Sequence, residues 1–238
     1  MKPLIKVDRV RSIDEALKLE SLGVNLIGVQ LGTDDRFDDD RRVSEEILVA
    51  IQSRLRRSKL FVEILSKDLS TNGVSLIHKW GLSYAQVRGP EVPDLELRRG
   101  LKTLGIGIIY SGISVSYDDD PSWILSHFKR LPELNAAYFQ LEILPDVEGS
   151  WAFLKEECPR YVEDLKIEDI DQLAFTHPLI ISLDFKRNNL IEILKRFANI
   201  RGIGLTVGAL KPGRYDVHAL SFPELIDILK TKSSVPGV

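Results

Sequence analysis

The chain has 238 residues and a mass of 26.9 kDa, which suits one large domain or two small ones; a single domain of this size buries roughly 70–75% of its unfolded surface. Hydrophobic residues make up 44%, and 32 basic against 35 acidic residues leave a net charge of −3, so neither global disorder nor a charge-driven nucleic-acid or membrane partner is expected. A lone cysteine, Cys158, excludes a disulfide framework and a multi-cysteine metal site, and no apolar run approaches the ~20 residues of a membrane helix. With no apolar leader in Met1–Asp8, the expectation is a cytoplasmic protein.

Short apolar runs punctuate the chain. They are Leu4–Val7, Leu26–Leu31, Leu60–Leu65, Tyr84–Val87, Ile106–Tyr110, Ala137–Leu141, Leu179–Leu183 and Ile203–Val207. Each is short and rich in Ile, Val, Leu or aromatic residues, the signature of a strand buried on both faces. Helical patterns lie between them. Ser12-Ile13-Asp14-Glu15 forms a capping box, Ala16, Leu17, Leu19 and Leu22 follow as an apolar stripe, and Gly23 is placed to end the helix. Further helices are expected over 44–57, 72–80, 94–104, 121–131, 167–174, 189–197 and 221–230. The segment 145–163 reads as an irregular insertion.

Eight strand-then-helix units predict one domain over 1–238, a single (β/α)₈ TIM barrel of class α/β. The competing doubly wound sheet calls for a glycine-rich turn after the first strand, where this chain has Asp8-Arg9-Val10-Arg11. Barrels collect their chemistry at the C-terminal strand ends. The candidates there include Asp8, Arg9 and Arg11; Gln30, Gly32 and the loop Asp34–Asp40 with Arg36, Arg41 and Arg42; Glu63 and Lys67. Later strands add Gln86, Arg88 and Gly89; Ser111 and Ser114; Gln140 and Glu142; Asp184, Lys186 and Arg187; Thr206, Gly208 and Lys211.

Several segments in order resemble one family. These are Ile5-Lys6-Val7-Asp8-Arg9-Val10 with Asp14-Glu15-Ala16-Leu17, Gly23 to Val29, Arg41-Arg42-Val43-Ser44, Ala85-Gln86-Val87-Arg88-Gly89, Pro178 to Ile181 and Gly202 to Gly208. Together they resemble phosphoribosylanthranilate isomerase, the barrel enzyme of tryptophan biosynthesis. That family opens a ribosylamine ring and moves a proton, turning an aldose-type centre into a ketose-type one. Such a step needs a base, an acid and a phosphate clamp.

The resemblance implies a role for each matched position. Asp8 falls where the family has its general-base Cys, and Arg9 where it has the next Gly. Glu142 falls on the general-acid Asp, one methylene longer. Arg41 matches the arginine that contacts substrate, with Arg88 a second contact. Thr206 and Gly208 match the phosphate turn after strand 8. The family's Gly-Gly at the end of strand 7 is replaced by Leu183-Asp184, where bulk and negative charge oppose a phosphate.

Structural roles compete with these. Asp8 can pair with Arg9, Arg11 or Arg41, and Arg88 with a carboxylate such as Glu142. The Asp34–Asp40 loop lacks the Gly and terminal Glu of a calcium loop, and Tyr117-Asp118-Asp119-Asp120-Pro121 reads as a helix cap. The four histidines show no ligand spacing, so no metal or cofactor is expected. The basic run Arg54–Lys59 suits a helix C-terminus rather than nucleic acid. Two functions remain. One is a diverged pseudoenzyme, monomeric or homodimeric, that binds a phosphoribosyl-type small molecule or a protein partner. The other is an active aldose–ketose isomerase with Asp8 as base and Glu142 as acid.

Overall fold

The computed structural model describes residues 3–32, 36–37, 40–89, 91–208 and 218–233. Strands and helices alternate: β1 (Leu4–Asp8), α1 (Ile13–Ser21), β2 (Leu26–Gln30), α2 (Glu45–Arg54), β3 (Lys59–Leu65), α3 (Thr71–Lys79), β4 (Tyr84–Arg88) and α4 (Leu95–Thr103). The second half continues with β5 (Gly107–Val115), α5 (Ser126–Lys129), β6 (Ala136–Ile143), α6 (Ser150–Glu156), α7 (Ile167–Thr176), β7 (Leu179–Ser182), α8 (Leu190–Arg196), β8 (Gly202–Val207), β9 (Ala219–Leu220) and α9 (Phe222–Ser233). Strands β1 to β8 pair in order, all parallel, and β1 closes on β8 from Leu4↔Gly202 to Asp8↔Thr206. The result is a (β/α)₈ barrel. No helix among the described residues is long and apolar enough to cross a membrane.

The alternation of side chains along each strand divides the apolar residues in two. Ile5, Val7, Ile27, Val29 and Val62 face outward and join the large core under the helices. A separate cluster of Leu26, Phe61, Ile109 and Ile180, flanked by Leu4, Tyr84 and Tyr138, fills the barrel interior. Glycines make room for it. A Cβ on Gly28 would lie 2.4 Å from the Phe61 ring, and one on Gly107 would lie 3.1 Å from Tyr84. Towards the C-terminal strand ends the interior turns polar, with Lys6, Asp8, Gln30, Gln86, Gln140 and Ser182 all buried.

Several expected elements change length. Strand β5 runs on to Val115 through a break in register between Tyr110 and Ile113, where Gly112 sits at φ +75°. The helix expected over 121–131 is only α5: Trp123 is exposed, and Leu125 and Phe128, with Ile124 partly buried, anchor the segment. The stretch read as an irregular insertion contains α6 and a 3₁₀ turn at Cys158–Arg160. Helix α6 lacks a local capping side chain. Asp184 supplies one from 33 residues away, accepting from the Trp151 N–H at 2.7 Å and the Ser150 hydroxyl at 2.9 Å. Cys158 is buried in this insertion, and burial first, then Asp164, pushes its thiol up.

Candidate functional site at the barrel mouth

The strand ends bring Asp8, Glu63 and Glu142 around one small space, with Gln86, Gln140, Ser111 and Thr206 in its walls. Arg9 and Arg36 complete the lining. The space measures about 10 Å³, room for about one water. Drug-sized ligands occupy cavities of roughly 300–1,000 Å³. The mouth is therefore filled by its own side chains.

Lys6 is the deepest charge. It shares a face with Asp8, two residues on, and is fully buried. Its Nζ donates to both Asp8 carboxylate oxygens at 2.5 Å and to Gln140 Oε1 at 2.6 Å, and lies 4.7 Å from the centroid of the Phe61 ring. Burial pushes the Asp8 carboxyl up, with Lys6 opposing, and the same burial pushes the Lys6 ammonium down. Asp8 thus pairs with none of the arginines expected from sequence, and Lys6 was not among the candidates. The signal was present in the chain: a lysine and an aspartate at i and i+2 of an otherwise apolar strand.

Glu63 accepts from Gln86 Nε2 at 2.5 Å and from Arg88 Nε at 3.1 Å. Arg88 therefore joins Glu63 rather than Glu142. The Arg36 guanidinium spans the mouth, 3.7 Å from Glu63 and 3.6 Å from Glu142. Burial raises the Glu142 carboxyl, Arg36 opposes, and the neighbouring Glu63 raises it further. Arg9 keeps a left-handed backbone at φ 65°, a conformation that costs a side-chain-bearing residue roughly 1–2 kcal/mol. Its guanidinium stacks 3.6 Å from the centroid of the buried Phe37 ring and donates to the Val207 carbonyl at 3.0 Å.

The residues matched to substrate contacts separate. Thr206 lines the mouth. Arg41 is buried but does not line it: it donates to Glu15 at 2.5 Å and to the Arg9 carbonyl at 2.8 Å, fastening the β1–α1 turn to α1. Gly208, at φ +141°, donates its N–H to the Leu220 carbonyl at 2.9 Å. Thr206 pairs with Asp8 on one edge of β8 and with Ala219 of β9 on the other. Strand β9 therefore runs along the β7 side of β8, beside the strand ends where the resemblance implies a phosphate cradle.

Leu183 and Asp184 act differently from the expectation that both crowd that cradle. Leu183 is in the core, while the Asp184 carboxylate turns away to cap α6 and pairs with Lys186 at 3.3 Å. A larger hollow of about 520 Å³ lies between this segment and α9, lined in part by Phe185, Lys186, Leu220 and Ile228. Asp184 lines it, and none of the three mouth carboxylates does. Asp34, Asp35, Asp38, Asp39 and Lys211 lie outside the described residues.

No protein-family model matches the chain, and no curated protein matches it in sequence. Solved structures do. A phosphoribosyl anthranilate isomerase from Thermus thermophilus aligns at 18% identity and TM-score 0.62, over 97% of this chain and 98% of that one. TrpF from Jonesia denitrificans aligns at 10% identity and TM-score 0.65, over 99% of both. A phosphoribosyl anthranilate isomerase in complex with reduced 1-(o-carboxyphenylamino)-1-deoxyribulose 5-phosphate aligns at 13% identity and TM-score 0.63, over 98% and 100%. At these identities the likeness establishes the fold alone, a (β/α)₈ barrel that aligns over nearly the whole of both chains.

Proposed function

We propose that this chain is a diverged phosphoribosylanthranilate isomerase-like barrel whose isomerase activity is lost or weak, and which acts as a ligand- or partner-binding protein. The observation that carries this reading is the filled mouth. A space of about 10 Å³ holds no phosphoribosyl group, and Arg36 occupies the line between Glu63 and Glu142. The backbone donor at Gly208 is spent on β9, and Arg41 is spent on Glu15. A cytoplasmic location and a monomeric or homodimeric state belong to the same reading.

One observation favours the alternative, an intramolecular aldose–ketose isomerase. Asp8 and Glu142 line the same space, and burial raises both carboxyls towards the range useful for proton transfer. In that reaction Asp8 takes the proton from the sugar carbon and Glu142 protonates the ring oxygen. Lys6 stands against it, because its ammonium occupies both Asp8 oxygens. The deciding experiment supplies phosphoribosylanthranilate and follows the loss of its fluorescence. The proposal expects no turnover at micromolar enzyme. Turnover that Asp8→Ala abolishes would establish the alternative.

A further inference from the structure

Glu142 makes a single ion pair among the described residues, and that pair is with Arg36. The same guanidinium faces Glu63 from its other nitrogen. A planar cation with several N–H donors, set between two carboxylates, is the geometry in which guanidinium outperforms ammonium. Arg36 reaches this position from the long β2–α2 connection, not from a strand, so the carboxylate pair is built by the barrel and the cation is delivered to it. The other mouth charges are already committed: Lys6 to Asp8, Arg88 to Glu63, and Arg9 to Phe37 and the Val207 carbonyl.

A second observation points the same way. The Gln86 side chain is 1% exposed, its amide nitrogen is donated to Glu63, and its Oε1 accepts no hydrogen bond. This oxygen belongs to a residue lining the same space. A buried acceptor left without a donor is destabilising, because it loses its water and gains nothing in return. The mouth thus holds an amide oxygen with no donor beside two carboxylates that share the Arg36 guanidinium, and it suits a compact species rich in N–H.

We propose that the barrel mouth is a binding site for a small guanidinium or amidinium cation, closed in this structure by the chain's own Arg36. The cation lies between Glu63 and Glu142, and its remaining N–H groups face Gln86 Oε1. Arg36 is a tethered competitor, so free ligand binds when this side chain swings out. The inference deepens the ligand-binding reading and rests on it.

The test is calorimetric titration of the full chain with methylguanidinium, using methylammonium and sodium at equal ionic strength as controls. Arg36→Ala is expected to bind methylguanidinium saturably, about tenfold or more tighter than wild type. Methylammonium is expected to bind at least about tenfold more weakly, lacking the planar fork. Adding Glu142→Gln to Arg36→Ala is expected to remove most of the affinity. Folded Arg36→Ala that shows no saturable heat overturns the proposal, as does binding indifferent to Glu142→Gln. Arg36→Gln serves if Arg36→Ala does not fold. If neither folds, the Arg36 Nε–Hε signal of wild type must shift with saturating methylguanidinium, and an unmoved signal overturns the proposal. Fluorescence assay of phosphoribosylanthranilate on the same wild-type sample separates the two failures. Turnover sinks the ligand-binding reading, whereas absent turnover with absent cation binding sinks only this inference.

Discussion

Replacing Lys6 by Met keeps the volume of the side chain and removes its charge. No cavity opens, so the cost is electrostatic. Asp8 loses the one partner that holds both its oxygens at 2.5 Å, and Gln140 loses a donor at 2.6 Å. Breaking a buried ion pair from one side costs about 3–5 kcal/mol. Asp8 has one escape, which is to take a proton. Burial already raises its carboxyl, and the lost cation raises it further. A raised carboxyl favours the fold on the acid side and loses that advantage as pH climbs from the ordinary 3.8 through the folded value. The deficit of Lys6→Met is therefore greatest near neutrality and shrinks towards acid. Lys6→Met with Asp8→Leu removes both charges and is expected to recover most of the loss, since apolar replacement of a whole buried pair is often neutral or better. Urea unfolding followed by circular dichroism measures all three chains. A single mutant that loses under about 1 kcal/mol near pH 7, or a double mutant no better than the single, refutes the reasoning.

Four further outcomes are expected. Gly28→Ala sets a methyl 2.4 Å from the buried Phe61 ring and should cost about 1–3 kcal/mol or more, with Phe61→Leu restoring part of it in the double mutant. Glu20 is desolvated, yet three N–H bonds from Ser58, Arg57 and Arg56 hold its carboxyl below the usual value. Its contribution is present above pH 4.5 and lost as pH falls through the folded value, so Glu20→Gln should destabilise near neutrality, and a chemical-denaturation series should show that difference vanish in acid. Glu142 has the opposite sign: its raised carboxyl makes wild type lose stability relative to Glu142→Gln as pH rises from 4.5, which the same series reads. Asp184→Ala removes the remote cap of α6 and should cost about 1 kcal/mol, with faster amide exchange confined to the first turn of that helix.

The barrel was legible because its signal is periodic and local. Runs such as Leu26–Leu31 and Leu179–Leu183 are too short for helices and too apolar for exposed strands, and all eight became strands of one closed sheet. The capping box at Ser12 was readable too, although Glu15 reaches back to the Arg11 N–H rather than to Ser12. Features made by distant residues stayed hidden. The cap of α6 comes from Asp184, and no pattern in 145–163 announces it. Strand β9 has two residues and exists only because β8 offers it an edge.

The mouth was half legible. Asp8, Glu142 and Thr206 were placed at strand ends, and strand ends converge in any such barrel. Which charge pairs with which was not, because long side chains choose partners across strands. Arg88 chose Glu63 one strand back, and Arg41 left the mouth for Glu15. Arg36 was one charge among many in an acidic loop, and its span from Glu63 to Glu142 depends on a loop conformation that composition does not encode.

In the proposed reading a filled mouth, and a Gly208 N–H committed to β9, leave no place for a sugar phosphate. Calorimetric titration of the wild-type chain with reduced 1-(o-carboxyphenylamino)-1-deoxyribulose 5-phosphate, the compound held by one of the similar barrels, measures this directly. No saturable heat is predicted. Stoichiometric micromolar binding would contradict the account.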